Sequence, residues 1–437
     1  MKPFCALFSA ALWLAAAVWG NAQTAREEIQ KNPALAAGKY YAYTKPADAS
    51  ATPAPKGYVP FYLSAFARHG SRYLTDAEKY ADPIGVLRRA QQGGYLSADG
   101  VRALRLAERL QREAEGRYGE LTPKGAAQHR ALVSRMYAGY PQVFAPGTHV
   151  DARSTYKTRA FLSMAAACVQ LARLDSSLCI TQDASQHDAC YIKYKNPAYE
   201  AAHLAAADSV YRAADSVYVH PARLMRQLFT RPVDEAQLGM SPTALMTALF
   251  ELDGISQSSY GAEGLAFLFT DDERYDLWQR NNFEWYYEKG PSPLSGSCMY
   301  RLERNLLRNF VTTADTVIAS GHTAVTLRYG HDSNLAPLAV LMGMNQLQTA
   351  TANWQRIADT YRTYRLIPMC GNIQLVFYRK AGSADVLVKP LLNEREVTLP
   401  VTTDCAPFYH WADLRAYWLG VADRITLPDP GSAQADD

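Results

Sequence analysis

Residues 58–72 read YVPFYLSAFARHGSR. Tyr58–Ala67 is a run of apolar and aromatic side chains, the pattern of a strand buried on both faces. It ends in Arg68-His69-Gly70-Ser71-Arg72. Two arginines flanking one histidine at a strand end are chemically informative. Guanidinium forks match phosphate oxygens and stay charged at any working pH. Gly70 allows close approach of the backbone to a ligand. A neutral imidazole is a competent nucleophile toward phosphorus.

Outward from this run, helical and strand patterns alternate. Val101–Arg117 has helical spacing of Leu104, Ala107 and Leu110. Thr122-Pro123 is a helix start, with Thr122 as cap and Pro123 in the first helical position. That helix is expected to end near Gly139. Thr148–Ser154 alternates as a second strand and leads into a helical pattern over Tyr156–Leu174 that contains Arg159. Between residues 175 and 312 helical patterns dominate. Thr316–Gly321 and Ala324–Tyr329 look like strands, Leu335–Gly343 like a helix, and Asn372–Tyr378, Asp385–Val388 and Glu396–Pro400 like paired strands. The expected fold is α/β, a central sheet flanked by helices with a mostly helical cap inserted. The expected partition is an arm over residues 23–57, a discontinuous α/β core over 58–174 and 313–437, and the cap over 175–312. Within the arm, Lys45–Lys56 reads as a linker or surface wrap. In open α/β sheets ligands bind beyond the carboxyl ends of the strands, which places Arg68–Arg72 and Gly330–Asp332 on one rim.

Two further segments join the first. Arg153-Ser154-Thr155-Tyr156-Lys157-Thr158-Arg159 brings more positive charge to a strand end. Gly330-His331-Asp332-Ser333 starts a helix, a favourable place for an anion. A carboxyl group at Asp332, beside a bound phosphate dianion, is expected to have a raised pKa and to donate a proton.

Composition narrows the class. The 437 residues carry 45 Lys plus Arg against 42 Asp plus Glu, a net charge of +3. This balance argues against a nucleic-acid binder, so an anionic ligand must be held by a local basic cluster. Residues 1–22 have the pattern of a secretory leader, with Lys2, an apolar Phe8–Trp19 and a cleavage point after Ala22. No later stretch is long enough to span a membrane. The expected location is periplasmic or secreted. Of seven cysteines, Cys5 lies in the leader. The other six suggest disulfides in an exported protein, for example Cys179–Cys190 and Cys370–Cys405, whereas Cys168 fits a buried thiol equally well. No metal-binding motif is present, and no metal or cofactor is expected. His129 and His322 read as structural or surface histidines.

Together the motifs resemble the histidine acid phosphatases, branch 2 of the histidine phosphatase superfamily. Arg68-His69-Gly70-Ser71-Arg72 is similar to the family's RHGxR signature. Leu121-Thr122-Pro123-Lys124-Gly125 with Gln128 is similar to its LTxxGxxQ segment, Arg153-Ser154-Thr155 with Arg159 to RSTxxxR, and His331-Asp332 to its HD motif. Within the family the chain resembles phytases and the multiple inositol-polyphosphate phosphatases at Arg72-Tyr73, Leu335-Ala336-Pro337-Leu338, Leu391–Glu394 and Cys405–Phe408. It departs from the latter subgroup's HAE motif, having Asp332 and Ser333 in the last two places. The resemblance implies a phosphoglycerate-mutase-like core and a phosphomonoester hydrolase acting through phosphohistidine. His69 would be the nucleophile and Asp332 the proton donor. Arg68, Arg72, Arg159 and His331 would bind phosphate. Ser71, Tyr73 and Lys157 are candidate substrate contacts. The expected partner is a small phosphorylated substrate, with inositol phosphates such as phytate favoured and sugar phosphates or nucleotides as the alternative. A phosphomutase and a non-catalytic phospho-ligand binder are the rival readings, and a monomer is favoured.

Overall fold

The structure is a computed structural model and describes residues 24–46 and 52–428. The leader pattern, Cys5 and part of the Lys45–Lys56 linker therefore lie outside the described residues. Eight strands form one sheet: β1 Tyr58–Arg68, β2 His149–Ser154, β3 Cys179–Asp183, β4 Ala324–Gly330, β5 Asn372–Lys380, β6 Val386–Leu392, β7 Arg395–Glu396 and β8 Tyr409–His410. Their order is β3-β2-β4-β1-β5-β6-β7, with β8 paired to β6. The first four strands in that order run parallel, while β5, β6, β7 and β8 add antiparallel pairs.

β1 is central and buried from Phe61 to Arg68, which explains its near-continuous apolar sequence. Its side chains divide by strand period. Leu63, Ala65 and Ala67 face one apolar cluster, shared with Leu132, Met164 and Leu171 of the helices Pro123–Gly139 and Thr158–Leu174. Tyr62 and Phe66 face another, shared with Phe310, Leu338 and Trp418 of the helices Arg304–Ser320, Asp332–Met342 and Trp411–Asp423. A third cluster holds the helical part together. It joins the helices Glu78–Gln92, Ala98–Ala114, Pro242–Ser256 and Asp271–Lys289 to the 3-10 segment Pro33–Tyr40.

Four expectations need correction. Of the expected strand Glu396–Pro400 only Glu396 is in one, paired with Leu391. Thr316–Gly321 is not a strand: the helix Arg304–Ser320 runs through it and stops where Gly321 takes a left-handed conformation at φ 68°. The β-branched Thr316, Val317 and Ile318 are outweighed by the apolar face of Leu306, Phe310 and Ala314. β3 lies inside the span expected to be helical, because Cys-Ile-Thr-Gln-Asp is an exposed edge strand without clear alternation. All six described cysteines are free thiols rather than disulfides. Cys168 and Cys370 sit among apolar side chains, Cys298 faces His203, and Cys190 and Cys405 face backbone carbonyls. No described helix is long and apolar enough to cross a membrane.

Candidate active site

The parallel register brings the motifs together. Arg68 is level with Gly330 and Ser154 with Tyr329, so all three segments leave the sheet at the same rim. Backbone bonds continue the ladder past the strand ends: His69 N–H donates to Gly330 O at 2.9 Å and Thr155 N–H to Tyr329 O at 3.0 Å.

The Pro123–Gly139 helix clamps the turn after β1. Thr122 caps it, accepting from Gly125 N–H at 3.1 Å, and Thr122 N–H donates to Ser71 O at 2.9 Å. Ser71 N–H donates to Gln128 Oε1 at 2.8 Å. Gly70 and Gly125 touch backbone to backbone. A Cβ on Gly125 would lie 2.2 Å from Ser71 O, and one on Gly70 would lie 2.4 Å from Gly125 O. Gly125→Ala must therefore push the His69 turn away from its helix. We expect it to cost about 1–3 kcal/mol in stability, measured by urea unfolding, and to lower phosphate release along with it. Unchanged stability would mean that the turn moves freely.

Arg68 is buried and locked. Its Nη1 donates to Lys39 O and to Ile367 O at 2.5 Å each, and its Nη2 meets Asp332 Oδ2 at 2.7 Å. Arg72 is also buried, donates from Nη1 to Tyr73 O at 2.7 Å and lies over the Tyr40 ring. The Arg159 guanidinium has a buried Nε without a protein partner and lowers the basicity of His69 and His331 through its charge. The charges of Arg68, Arg72 and Arg159 are close enough to repel one another, an arrangement that an anion would stabilise.

His69 is buried, and its Nδ1 lies 2.9 Å from Gly70 O. A carbonyl can only accept, so Nδ1 carries the proton and Nε2 presents a lone pair. Burial, then the charges of Arg68 and Arg159, hold its pKa well below the usual imidazole range. His331 is 5.6 Å away, ring centre to ring centre, with Nε2 3.0 Å from Thr155 Oγ1. Burial and Arg159 lower its pKa to about 3.

Asp332 opens the Asp332–Met342 helix, and its Oδ1 accepts from Ser333 N–H at 2.9 Å. Burial alone would raise its pKa, but Arg68, Arg72 and Lys39 outweigh burial and hold the carboxyl far below its ordinary value. Asp332 is therefore a carboxylate rather than an acid among these charges. Behind this helix, Asn334 Nδ2 donates to Glu303 Oε1 at 3.0 Å. Burial raises Glu303 to about 8, which favours its neutral form near pH 7.

Other expected residues fall elsewhere. Arg153 pairs with Asp151 at 2.9 Å, Asp183 at 3.0 Å and Asp188 at 3.4 Å, leaving Arg159 as the arginine of that segment in the cluster. Tyr73 packs in the apolar cluster of the helical part, with Arg117 over its ring. Ser71 is fully buried, its Oγ without a protein partner. Lys157 lies with Lys193 around the Tyr156 ring at the rim. Lys39, Tyr40, Thr155 and Lys193 were not foreseen. Lys39 and Tyr40 also line a cavity of about 410 Å³ with Lys79, Glu251, Arg280 and Glu284.

His129 is buried beneath the site, edge-on to Tyr329 at 5.4 Å, and burial lowers its pKa to about 3. The unfolded chain takes up protons on His129 and His331 below about pH 6.5, whereas in the folded chain these two rings do not until about pH 3. Stability contributed by these neutral rings is therefore full above pH 6.5 and is lost as the pH falls. The loss is about 1.4 kcal/mol per pH unit for each histidine. Urea unfolding at pH 7 and pH 5.5 should show a smaller acid loss for His129→Gln than for the wild type, by about 1.4 kcal/mol. Equal losses would mean that His129 is protonated in the folded state.

Residues 62–393 match the family described as histidine phosphatase superfamily (branch 2). The chain belongs to that superfamily. It is an enzyme that hydrolyses phosphate monoesters. This histidine phosphatase is 24% identical over 420 residues to multiple inositol polyphosphate phosphatase 1 of Gallus gallus, covering 89% of each chain. Its fold is similar to that of Bifidobacterium longum multiple inositol polyphosphate phosphatase, solved with inositol hexasulfate. The TM-score is 0.72 at 21% identity, over 87% of this chain and 97% of that one. The phytase of D. castellii is similar with a TM-score of 0.64 at 14% identity, over 90% of this chain and 86% of that one.

Proposed function

We propose that this histidine phosphatase dephosphorylates inositol phosphates through a phosphohistidine at His69. One observation carries the reading: His69 is buried with its ring fixed through Nδ1 on Gly70 O, which leaves Nε2 unprotonated, and it feels the charges of Arg68, Arg159 and Arg72. Arg68, Arg72, Arg159 and His331 hold the non-bridging oxygens and stabilise their charge in the transition state. The Nε2 lone pair forms a bond to phosphorus while the ester P–O bond breaks. Its electron pair leaves on the ester oxygen, which takes a proton from Asp332. A water then attacks phosphorus and passes a proton to the Asp332 carboxylate. The P–N bond breaks and returns its pair to Nε2.

The depressed pKa of Asp332 makes the proton's origin a specific question. A phosphate monoester has its second pKa at about 6, so below that pH the substrate enters as a monoanion carrying a proton. The arginines favour the dianion, and the incoming negative charge offsets their hold on Asp332. The proton accordingly passes from substrate to carboxyl, and turnover should be greatest in acid. The inositol-phosphate preference is supported by the activity named for the Gallus gallus relative and by further positive charge near the phosphate cluster: Lys39 acts on Asp332 and Lys193 on His331. The leader pattern of residues 1–22 supports action outside the cytoplasm.

Phosphate release from phytate, glucose 1-phosphate, AMP and p-nitrophenyl phosphate between pH 3 and 8, in EDTA, tests the reading. We expect phytate to lead and kcat/KM to fall above about pH 6, with the substrate's second pKa. A lead for AMP or glucose 1-phosphate would move the substrate class. Release from none would favour a phospho-ligand binder.

A further inference from the structure

At the opposite end of the sheet from His69, a second cluster of reactive side chains has no part in phosphate chemistry. His410 of β8 pairs with Leu387 of β6, which in turn lies level with Tyr378 and Pro60 near the start of β1. Asp404, Cys405 and His410 each offer one ligand atom, and these three atoms lie within 4.8 Å of one another. Nε2 of His410 is 2.9 Å from Asp404 Oδ1. On the other side of the ring, Nδ1 is 2.9 Å from Asp385 Oδ1, and Tyr58 O–H donates to Asp385 Oδ2 at 2.7 Å.

We propose that Asp404, Cys405 and His410 bind a zinc-like divalent cation through a carboxylate oxygen, Sγ and Nε2. Three considerations support this. An imidazole that donates Nδ1–H to a carboxylate presents a lone pair at Nε2, and here that lone pair faces a second carboxylate. Two acceptors at 2.9 Å require a positive centre between them, either a proton or a metal ion. The Tyr58–Asp385–His410 chain is the outer-shell support that fixes the tautomer and ring angle of metal-bound histidines. The donor set of one sulfur, one nitrogen and one oxygen suits zinc and disfavours calcium or magnesium, which take oxygen ligands.

Metal–ligand bonds of about 2.0–2.3 Å in a tetrahedron put neighbouring ligand atoms about 3.3–3.6 Å apart. On binding, the 2.9 Å His410–Asp404 pair therefore opens by about 0.4 Å and the Cys405 thiol, within 4.8 Å of the other two ligand atoms, closes by up to about 1.3 Å, with a water in the fourth position. Binding releases the Cys405 thiol proton, and the proton shared between His410 and Asp404, to solvent. The site would be structural. His410 precedes the Trp411–Asp423 helix, so the ion would pin that helix and the 401–408 segment to the sheet edge.

Titration of tag-free, EDTA-stripped protein with cobalt(II) tests this. We expect one equivalent to give a thiolate-to-cobalt charge-transfer band with tetrahedral visible absorption, both displaced by zinc. Both bands should vanish in Cys405→Ser and in His410→Gln. Zinc should raise the melting temperature of the wild type but not of Cys405→Ser, and phosphate release should stay the same in both. Absence of the bands in the wild type, or their persistence in Cys405→Ser, would overturn the site. Should His410→Gln fail to fold, Cys405→Ser decides, because Cys405 is partly exposed and lies in a turn.

Discussion

His69→Ala should abolish turnover of every phosphate ester, a loss on the order of 10⁴-fold or more in kcat. The imidazole is held neutral by burial and by the nearby arginines, and its Nδ1 bond to Gly70 O leaves the Nε2 lone pair free. Its removal leaves the anion site intact: Arg68 keeps its two carbonyl partners and Asp332, and Arg72 keeps Tyr73 O. Inorganic phosphate should accordingly still raise the melting temperature of the variant. Lost turnover with retained phosphate binding assigns His69 to the chemistry. Retained turnover would transfer the nucleophile's role to water or another side chain. Loss of both would point to a structural effect.

Asp332→Asn should separate substrates by leaving group. Inositol and sugar esters leave as poorly stabilised alkoxides and need a proton in the transition state, whereas p-nitrophenolate needs little. We expect kcat/KM, which reports phosphoryl transfer to His69 and not the later attack of water, to fall about 10²–10⁴-fold on phytate and less than about tenfold on p-nitrophenyl phosphate. The substitution is nearly isosteric, and Arg68 remains fixed by Lys39 O and Ile367 O, so positioning alone cannot produce that split. An equal loss on both substrates would make Asp332 a positioning residue acting through Arg68.

The sequence made the sheet's centre and rim legible because the signals there are local. β1 is apolar along nearly its whole length and ends in an arginine-histidine run, and Thr122-Pro123 and Asp332 are helix starts visible by residue type alone. What it did not reveal depends on tertiary contact. Lys39 enters the site through its backbone carbonyl and its charge, and nothing in Gly38-Lys39-Tyr40 marks that role. Thr155 matters because the β2–β4 register sets its hydroxyl beside His331. Arg153 and Arg159 look equivalent in sequence, yet the three carboxylates around Arg153 take one away from the cluster. The cysteine count suggests bridges, yet all six described cysteines are free thiols: Cys168, Cys370 and Cys405 share one apolar cluster without pairing, and Cys298 lies in another.

The most direct test of a covalent path through His69 is rapid quenching into base of the Asp332→Asn variant during turnover of p-nitrophenyl phosphate. Base preserves phosphohistidine, and the variant slows the attack of water. The expected result is one phosphoryl group per chain, acid-labile, on the peptide that contains His69. Continued turnover with no label, or a label on any other residue, would contradict it.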